Sequence, residues 1–213
     1  MPLVNRSFSD IITFTRASGG GRFNAQGQYE WLPANTPRID YDPVTGEAKG
    51  LLIEEQRTNL LTYSSDFAHA AWFKNSASIS ADSALAPDGT MTADKLVMAV
   101  GADPSSPNNI GIMNLNRVDS GTSVSSLSFF AKAGEVSSLK VRENTVLGRF
   151  LTVDLITGAI TNGDPTQFGS PSAVNCGNGW WRISFTTAIG STSGSRFGLR
   201  ANAVGDGTSG IYI

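Results

Sequence analysis

The stretch IDYDPVTGEAKGLLIEEQRTNLL, Ile39 to Leu61, holds the adjacent carboxylates Glu54 and Glu55, with Arg57 just after them and Asp40 and Asp42 upstream. Two carboxyl groups at a suitable separation are what glycoside hydrolysis needs. Successive residues of a strand, however, point to opposite faces, so Glu54 and Glu55 cannot serve each other. A partner would have to be Asp40, Asp42 or a distant carboxylate. The simpler expectation is that Glu54 or Glu55 forms a local ion pair with Arg57 and fixes the chain's exit from a hairpin.

Other chemistries find less support. The single histidine, His69, lies in DFAHAAW, and the chain has no G-x-S-x-G elbow to carry a nucleophilic serine. A histidine among a tryptophan and small residues is expected to be packed or on the surface. The single cysteine, Cys176 in AVNCGNGWW, has no base nearby in sequence and is expected to be a small buried hydrophobe or an idle loop thiol. One cysteine excludes an intrachain disulfide and a multi-cysteine zinc site, and one histidine excludes a histidine-rich metal site. SGGGRF, Ser18 to Phe23, is glycine-rich, but it lacks the strand-to-helix context and the Lys-Ser/Thr of a phosphate cradle. No cofactor is expected.

A stronger signal is a sheet face. Alternation in WWRISF sends Trp181, Ile183 and Phe185 to one side and Trp180, Arg182 and Ser184 to the other. In SLKVREN it parts Leu139 and Val141 from Lys140 and Arg142. In RFGLRAN it parts Phe197 and Leu199 from Arg196, Arg200 and Asn202. If the apolar sets face a core, the outer set gathers Trp180, Arg182, Arg142, Arg200 and Asn202, with Lys140 and Arg196 beside them. An aromatic ring with arginine and asparagine on one face suits sugar recognition by stacking and planar hydrogen bonding. The same cationic face would equally meet an acidic patch on another subunit, or simply solvate the sheet.

These residues must be positioned by short strands. The chain has 213 residues, 40% hydrophobic and only 16% charged, with 23 glycines, a composition suited to strands joined by many turns. SSLSFFAKA, SSLKVREN, RFLTVDL, WWRISFTTAI and RFGLRANAV all read as strands bounded by turn residues, and WFKNSASISAD, ADKLVMAV and NIGIMNLN are strand-like before them. Eight or nine strands between about residue 70 and residue 213 predict an all-β, jelly-roll-like sandwich. Residues 1–69 predict a hairpin arm, with turns around Gly27 and Gly46 and little apolar mass of its own. NLLTYSSDFAHAAW predicts one helical turn capped by Ser64 or Ser65. Two segments share the spacing D-x-x-T-G: DPVTGEA and DLITGAI. Asp42 with Gly46, and Asp154 with Gly158, are therefore expected to be hairpin hardware, the aspartate accepting backbone N–H bonds and the glycine taking the left-handed position.

The net charge of −2 gives no general reason to bind nucleic acid. No run of about 18 apolar residues is present, so no membrane insertion by a helix is expected. The N-terminal MPLVNRSFSD lacks the apolar core of a signal peptide, which predicts synthesis in a cytoplasm. The final GIYI stops in what reads as mid-strand, so a further C-terminal segment is expected.

The block PRIDYDP-TG---GLLIEEQRTNLL, together with APDGTMTADKLV, SFFAKAGE and GNGWWRISF, resembles a family of bacteriophage and prophage virion proteins of tail-fibre, minor structural or head-spike type. The resemblance runs from about Phe14 to Ile213. It implies a non-enzymatic structural protein carried on a virion and assembled with other phage virion proteins. It implies a homo-oligomer, a trimer, and a sandwich of the carbohydrate-binding-module type that attaches to bacterial surface polysaccharide. A lectin-like module as the primary role, or a glycan-degrading enzyme, are the alternatives.

Overall fold

The computed structural model describes residues 11–55, 59–106, 111–114, 126–143, 150–162, 168–187 and 197–213. The chain divides into two compact units, Met1–Glu55 and Gln56–Ile213. The sequence places the boundary at residue 69. The structure puts it earlier because Phe67 and Leu61 pack with the core of the second unit.

The first unit contains two antiparallel hairpins. Strand β1 (Gly20–Phe23) pairs with β2 (Tyr29–Leu32), and β3 (Ile39–Tyr41) with β4 (Ala48–Leu51). None of its described residues belongs to the hydrophobic core cluster. Among its described residues the buried one is an arginine, Arg38. Polar side chains therefore do the work that apolar packing does elsewhere. Arg22 binds Glu30 at 2.6 Å and donates to the Ile39 carbonyl at 2.8 Å. Arg38 donates to the Gly21 carbonyl at 3.0 Å, and the Phe23 N–H is held by Asp40 Oδ1 at 2.9 Å. The contacts of Arg22 with Ile39, Arg38 with Gly21 and Phe23 with Asp40 tie one hairpin to the other. The two turns also interlock: a side chain at Gly27 would collide with the Pro43 carbonyl, and one at Gly46 would sit 2.8 Å from the Ala25 carbonyl oxygen.

The second unit is an all-β sandwich. Its strands are β5 (Trp72–Asn75), β6 (Ala77–Ala84), β7 (Ala93–Met98), β8 (Gly111–Asn114), β9 (Ser126–Ala133), β10 (Ser138–Glu143), β11 (Phe150–Asp154), β12 (Ile160–Asn162), β13 (Phe168–Asn175), β14 (Trp180–Thr187), β15 (Phe197–Ala201) and β16 (Gly210–Tyr212). One sheet has the order β12-β11-β10-β15-β8-β5 and the other β13-β14-β9-β16-β7-β6. The inward residues are those that period-2 alternation selects: Leu139 and Val141, Leu151 and Val153, Leu199 and Ala201 from the first sheet, and Leu96, Ala131, Ile183 and Ile211 from the second, all fully buried. Phe197 bridges the layers. Its ring lies 6.3 Å from Trp72 in its own sheet, and 5.3 Å from Phe129 and 6.4 Å from Phe185 in the facing one.

Two strands were not expected from the sequence, β12 and β13. β13 carries Gly169 and Pro171 and looks like a loop. It is an edge strand, where a missing backbone donor is tolerated, and its register shifts between Gly169 and Ser172. The expected helical turn also differs. Residues 63–72 form successive tight turns, with the N–H groups of Asp66, His69 and Trp72 donating to the carbonyls of Tyr63, Asp66 and His69. The cap is Asp66, whose Oδ1 accepts the His69 N–H at 3.0 Å, rather than Ser64 or Ser65.

Near the end of the chain, β16 lies between β7 and β9. Ile213 exchanges both backbone hydrogen bonds with Asp94. The Asp94 carboxylate is buried and accepts the N–H groups of Phe67 and Asp82, each at 3.1 Å. One side chain thus joins the chain's approach to β5, a bulge in β6 and the strand β7.

Candidate functional site

The candidate sugar face does not form one surface. Trp180 and Arg182 stand on β14 of one sheet, whereas Arg142 and Arg200 stand on β10 and β15 of the other. Both pairs do alternate away from the core, as their spacing requires, but on different sheets they look away from each other. Asn202 follows β15, and its side chain donates to Ser138 Oγ at 3.0 Å, stapling two segments of the first sheet. Arg196 and Arg57 lie outside the described residues.

On β14, Arg182 is exposed and Trp180 is not, at 3%. The Trp180 indole N–H donates to the Leu85 carbonyl at 3.0 Å, so the chain leaving β6 covers the ring. A covered indole offers no stacking face. Trp181, on the core side, donates to the Leu155 carbonyl at 2.9 Å, and its ring fills the space that a side chain at Gly158 would need.

On the other sheet the strand register assembles a compact cationic cluster. Lys140 lies directly opposite Arg200, and Arg142 opposite Phe150. The three cations converge on the Phe150 ring, at 5.1 Å for Lys140 Nζ, 5.9 Å for Arg142 Cζ and 4.6 Å for Arg200 Cζ. Such contacts favour a cation where water is scarce. Arg142 and Arg200 are both buried. Burial, then the neighbouring Arg142, pushes the Arg200 guanidinium down to about 10, with Asp103 opposing the shift. Burial alone lowers Arg142, and burial followed by Arg200 lowers Lys140. The segment Asp103–Ser106 straps the cluster: Arg200 donates to the carbonyls of Pro104 and Ser106, and Lys140 to Pro104 at 3.2 Å. Sequence reasoning missed Phe150, although alternation in RFLTVDL puts it in the outward set with Thr152 and Asp154. It could not have found the strap, which comes from a distant loop.

Of the opening acidic pair, Glu54 has a described partner upstream, while Arg57, its expected partner, lies outside the described residues. Glu54 binds Arg38 at 2.6 Å, and the guanidinium is buried while the carboxylate remains largely exposed. Glu54 thus has a structural partner at the base of its own hairpin.

The two D-x-x-T-G segments have equivalent geometry. Asp42 Oδ1 accepts the Val44 and Thr45 N–H groups at 2.9 and 3.0 Å, and Asp154 Oδ1 accepts those of Ile156 and Thr157 at 2.8 and 2.9 Å. Gly46 and Gly158 donate back to the aspartate carbonyls at 2.8 Å, with φ of 70° and 74°. These N–H donors, Thr45 before Val44, together with Lys49, hold the Asp42 carboxyl at about 2. Asp154 is lowered in the same way by Thr157 and Ile156. Both are turn chemistry.

Among the described residues no group of three or more His, Cys, Asp or Glu could hold a metal ion. Burial raises the Cys176 thiol to about 11, far from the thiolate that chemistry would need. No described helix is long and apolar enough to cross a membrane. A comparison with protein-family models and with curated proteins finds no match to this chain.

Proposed function

We propose that this chain is a non-enzymatic structural module of a bacteriophage particle, a tail-fibre or spike component with a jelly-roll-type sandwich as its displayed body. The observation that carries this reading is the build of the arm, residues 1–55. Arginine contacts hold its two hairpins together, while Trp31, Val44 and Ile53 are left 53%, 91% and 80% exposed. An element whose described residues form no apolar core and leave several large side chains exposed has the character of a docking piece. It suits assembly with further copies of the chain, as a trimer, or with other virion proteins. The sequence block that resembles phage virion proteins includes this same arm.

Attachment to bacterial surface polysaccharide is a second role within this reading, and the covered Trp180 ring directs the search for its site elsewhere. A micrograph of intact particles, with this protein labelled, tests the main reading. A discrete position on tail or head is expected, and label found only in unassembled protein would sink it. Light scattering of the purified chain tests the trimer, which requires three times the 22.5 kDa mass of one chain.

A further inference from the structure

Tyr63 is held at a φ of 54°. The other non-glycine residues at positive φ among those described are Asn35, Ser76, Asp82, Ser170 and Asn178, all short and polar. Such residues tolerate the left-handed region, and a bulky aromatic is an outlier there. The kink itself has a structural use. It aims the Tyr63 carbonyl at the Trp72 indole N–H, 2.9 Å away, and at the Asp66 N–H, 3.1 Å away. Glycine or asparagine would make the same kink with less strain, so the backbone does not account for the tyrosine ring.

The ring stacks on His69, with centroids 3.4 Å apart and planes 11° from parallel, yet Tyr63 is still 52% exposed. The imidazole is fixed from behind. Its Nδ1 accepts the Ala71 N–H at 3.0 Å, and its own backbone N–H is held by Asp66. One face of the phenol ring is thus backed by a rigid partner, while the residue stays half-exposed. Ser64, next to Tyr63 in the chain, accepts a hydrogen bond from the Asn59 amide at 2.8 Å, so the same loop carries uncharged hydrogen-bonding groups.

We propose that Tyr63, backed by His69, is a stacking platform for the pyranose ring of a saccharide, with the Asn59 and Ser64 side chains at its margin bonding sugar hydroxyls. A flat, electron-rich ring complements the C–H face of a pyranose, and amide and hydroxyl groups complement its edge. This inference rests on the polysaccharide-attachment role proposed above, for which it names a site, and does not depend on assembly into a particle.

Saturation-transfer NMR on the purified chain, with cellohexaose, maltohexaose, mannohexaose and a galactan oligosaccharide as probes, tests it. Transfer to sugar C–H protons is expected for at least one probe. Tyr63→Asn, which suits the left-handed backbone, should lose about tenfold or more in affinity while keeping or raising the thermal midpoint. Tyr63→Phe keeps the ring and should bind within about threefold of the unaltered chain. The proposal is overturned if no probe receives saturation, if Tyr63→Asn binds as well as the unaltered chain, or if Tyr63→Phe loses binding as fully as Tyr63→Asn. A midpoint lowered by Tyr63→Asn would also overturn it, because the ring would then be packing. None of these results bears on where a labelled particle carries the protein.

Discussion

Arg38 and Glu54 meet at 2.6 Å across 16 residues of chain, and the two ends of this pair differ in environment. The guanidinium is buried and also serves the Gly21 carbonyl, whereas the carboxylate is 58% exposed. Removing the exposed end should therefore matter little, about 1 kcal/mol or less for Glu54→Gln. Arg38→Ala removes one of the three contacts between the hairpins and the arm's one buried side chain among those described, and amide exchange in the arm should speed up about tenfold or more while the melting of the sandwich stays put. Hydrogen exchange read separately for the arm and the sandwich checks this. Equal effects from the two substitutions would refute it.

Gly158 has two reasons to be glycine. Its φ of 74° strains any other residue, and its missing side chain leaves room for the Trp181 ring. Gly158→Ala should cost about 2–4 kcal/mol, from backbone strain plus overpacking. Urea unfolding of Gly158→Ala, Trp181→Leu and the double variant measures the share due to the ring. The double variant should be more stable than the sum of the single losses implies.

Acid should unmake the turns and the surface pair in a defined window. Asp42 is held at about 2, and Glu135 is lowered from 4.5 to about 2, first by Lys95 and then by backbone N–H groups. Because these folded values are depressed, the unfolded chain takes up the protons first. Their stabilisation is complete above about pH 4.5 and is lost as pH falls towards 2. Asp94 has the opposite sign: burial raises its value, so its contribution to stability grows as pH falls through that raised value. Carboxyl NMR should find midpoints of about 2 for Asp42 and Glu135, and Lys95→Ala should return Glu135 towards 4.5. Midpoints near 4 in the unaltered chain would contradict this account.

Cys176 is buried, with its thiol raised to about 11. It should resist maleimide at neutral pH in the folded protein and react only when the sandwich opens. Its labelling rate in increasing urea should follow global unfolding. Fast labelling in native buffer would place the thiol at the surface.

What was legible in the sequence was local. The D-x-x-T-G turns complete their hydrogen bonds within a few residues, so Asp42 and Asp154 could be assigned from spacing alone. Alternation placed Leu139, Val141, Ile183, Phe185 and Leu199 inward, because a strand's period of two needs no knowledge of its neighbours. Which sheet a strand joins is a non-local matter. Trp180, Arg182, Arg142 and Arg200 were therefore rightly sent outward and wrongly gathered on one surface. Trp180 is covered by a carbonyl 95 residues away. Glu54 finds Arg38 across the base of its own hairpin, 16 residues back, a partner that only the β3–β4 pairing brings within reach. β13 stayed hidden because Pro171 and Gly169 mimic a loop, and only its edge position makes them tolerable.

The placement of β16 also governs the order in which this molecule can be made. Gly210–Tyr212 joins β7 to β9, strands synthesised long before it. Until those three residues leave the ribosome, β7 and β9 each present a raw edge to whatever chain is nearby. A nascent or prematurely terminated product is thus two half-sheets with open hydrogen-bonding borders, prone to pairing with its neighbours. Many copies growing side by side in one cell would make that interval the hazardous part of the protein's life.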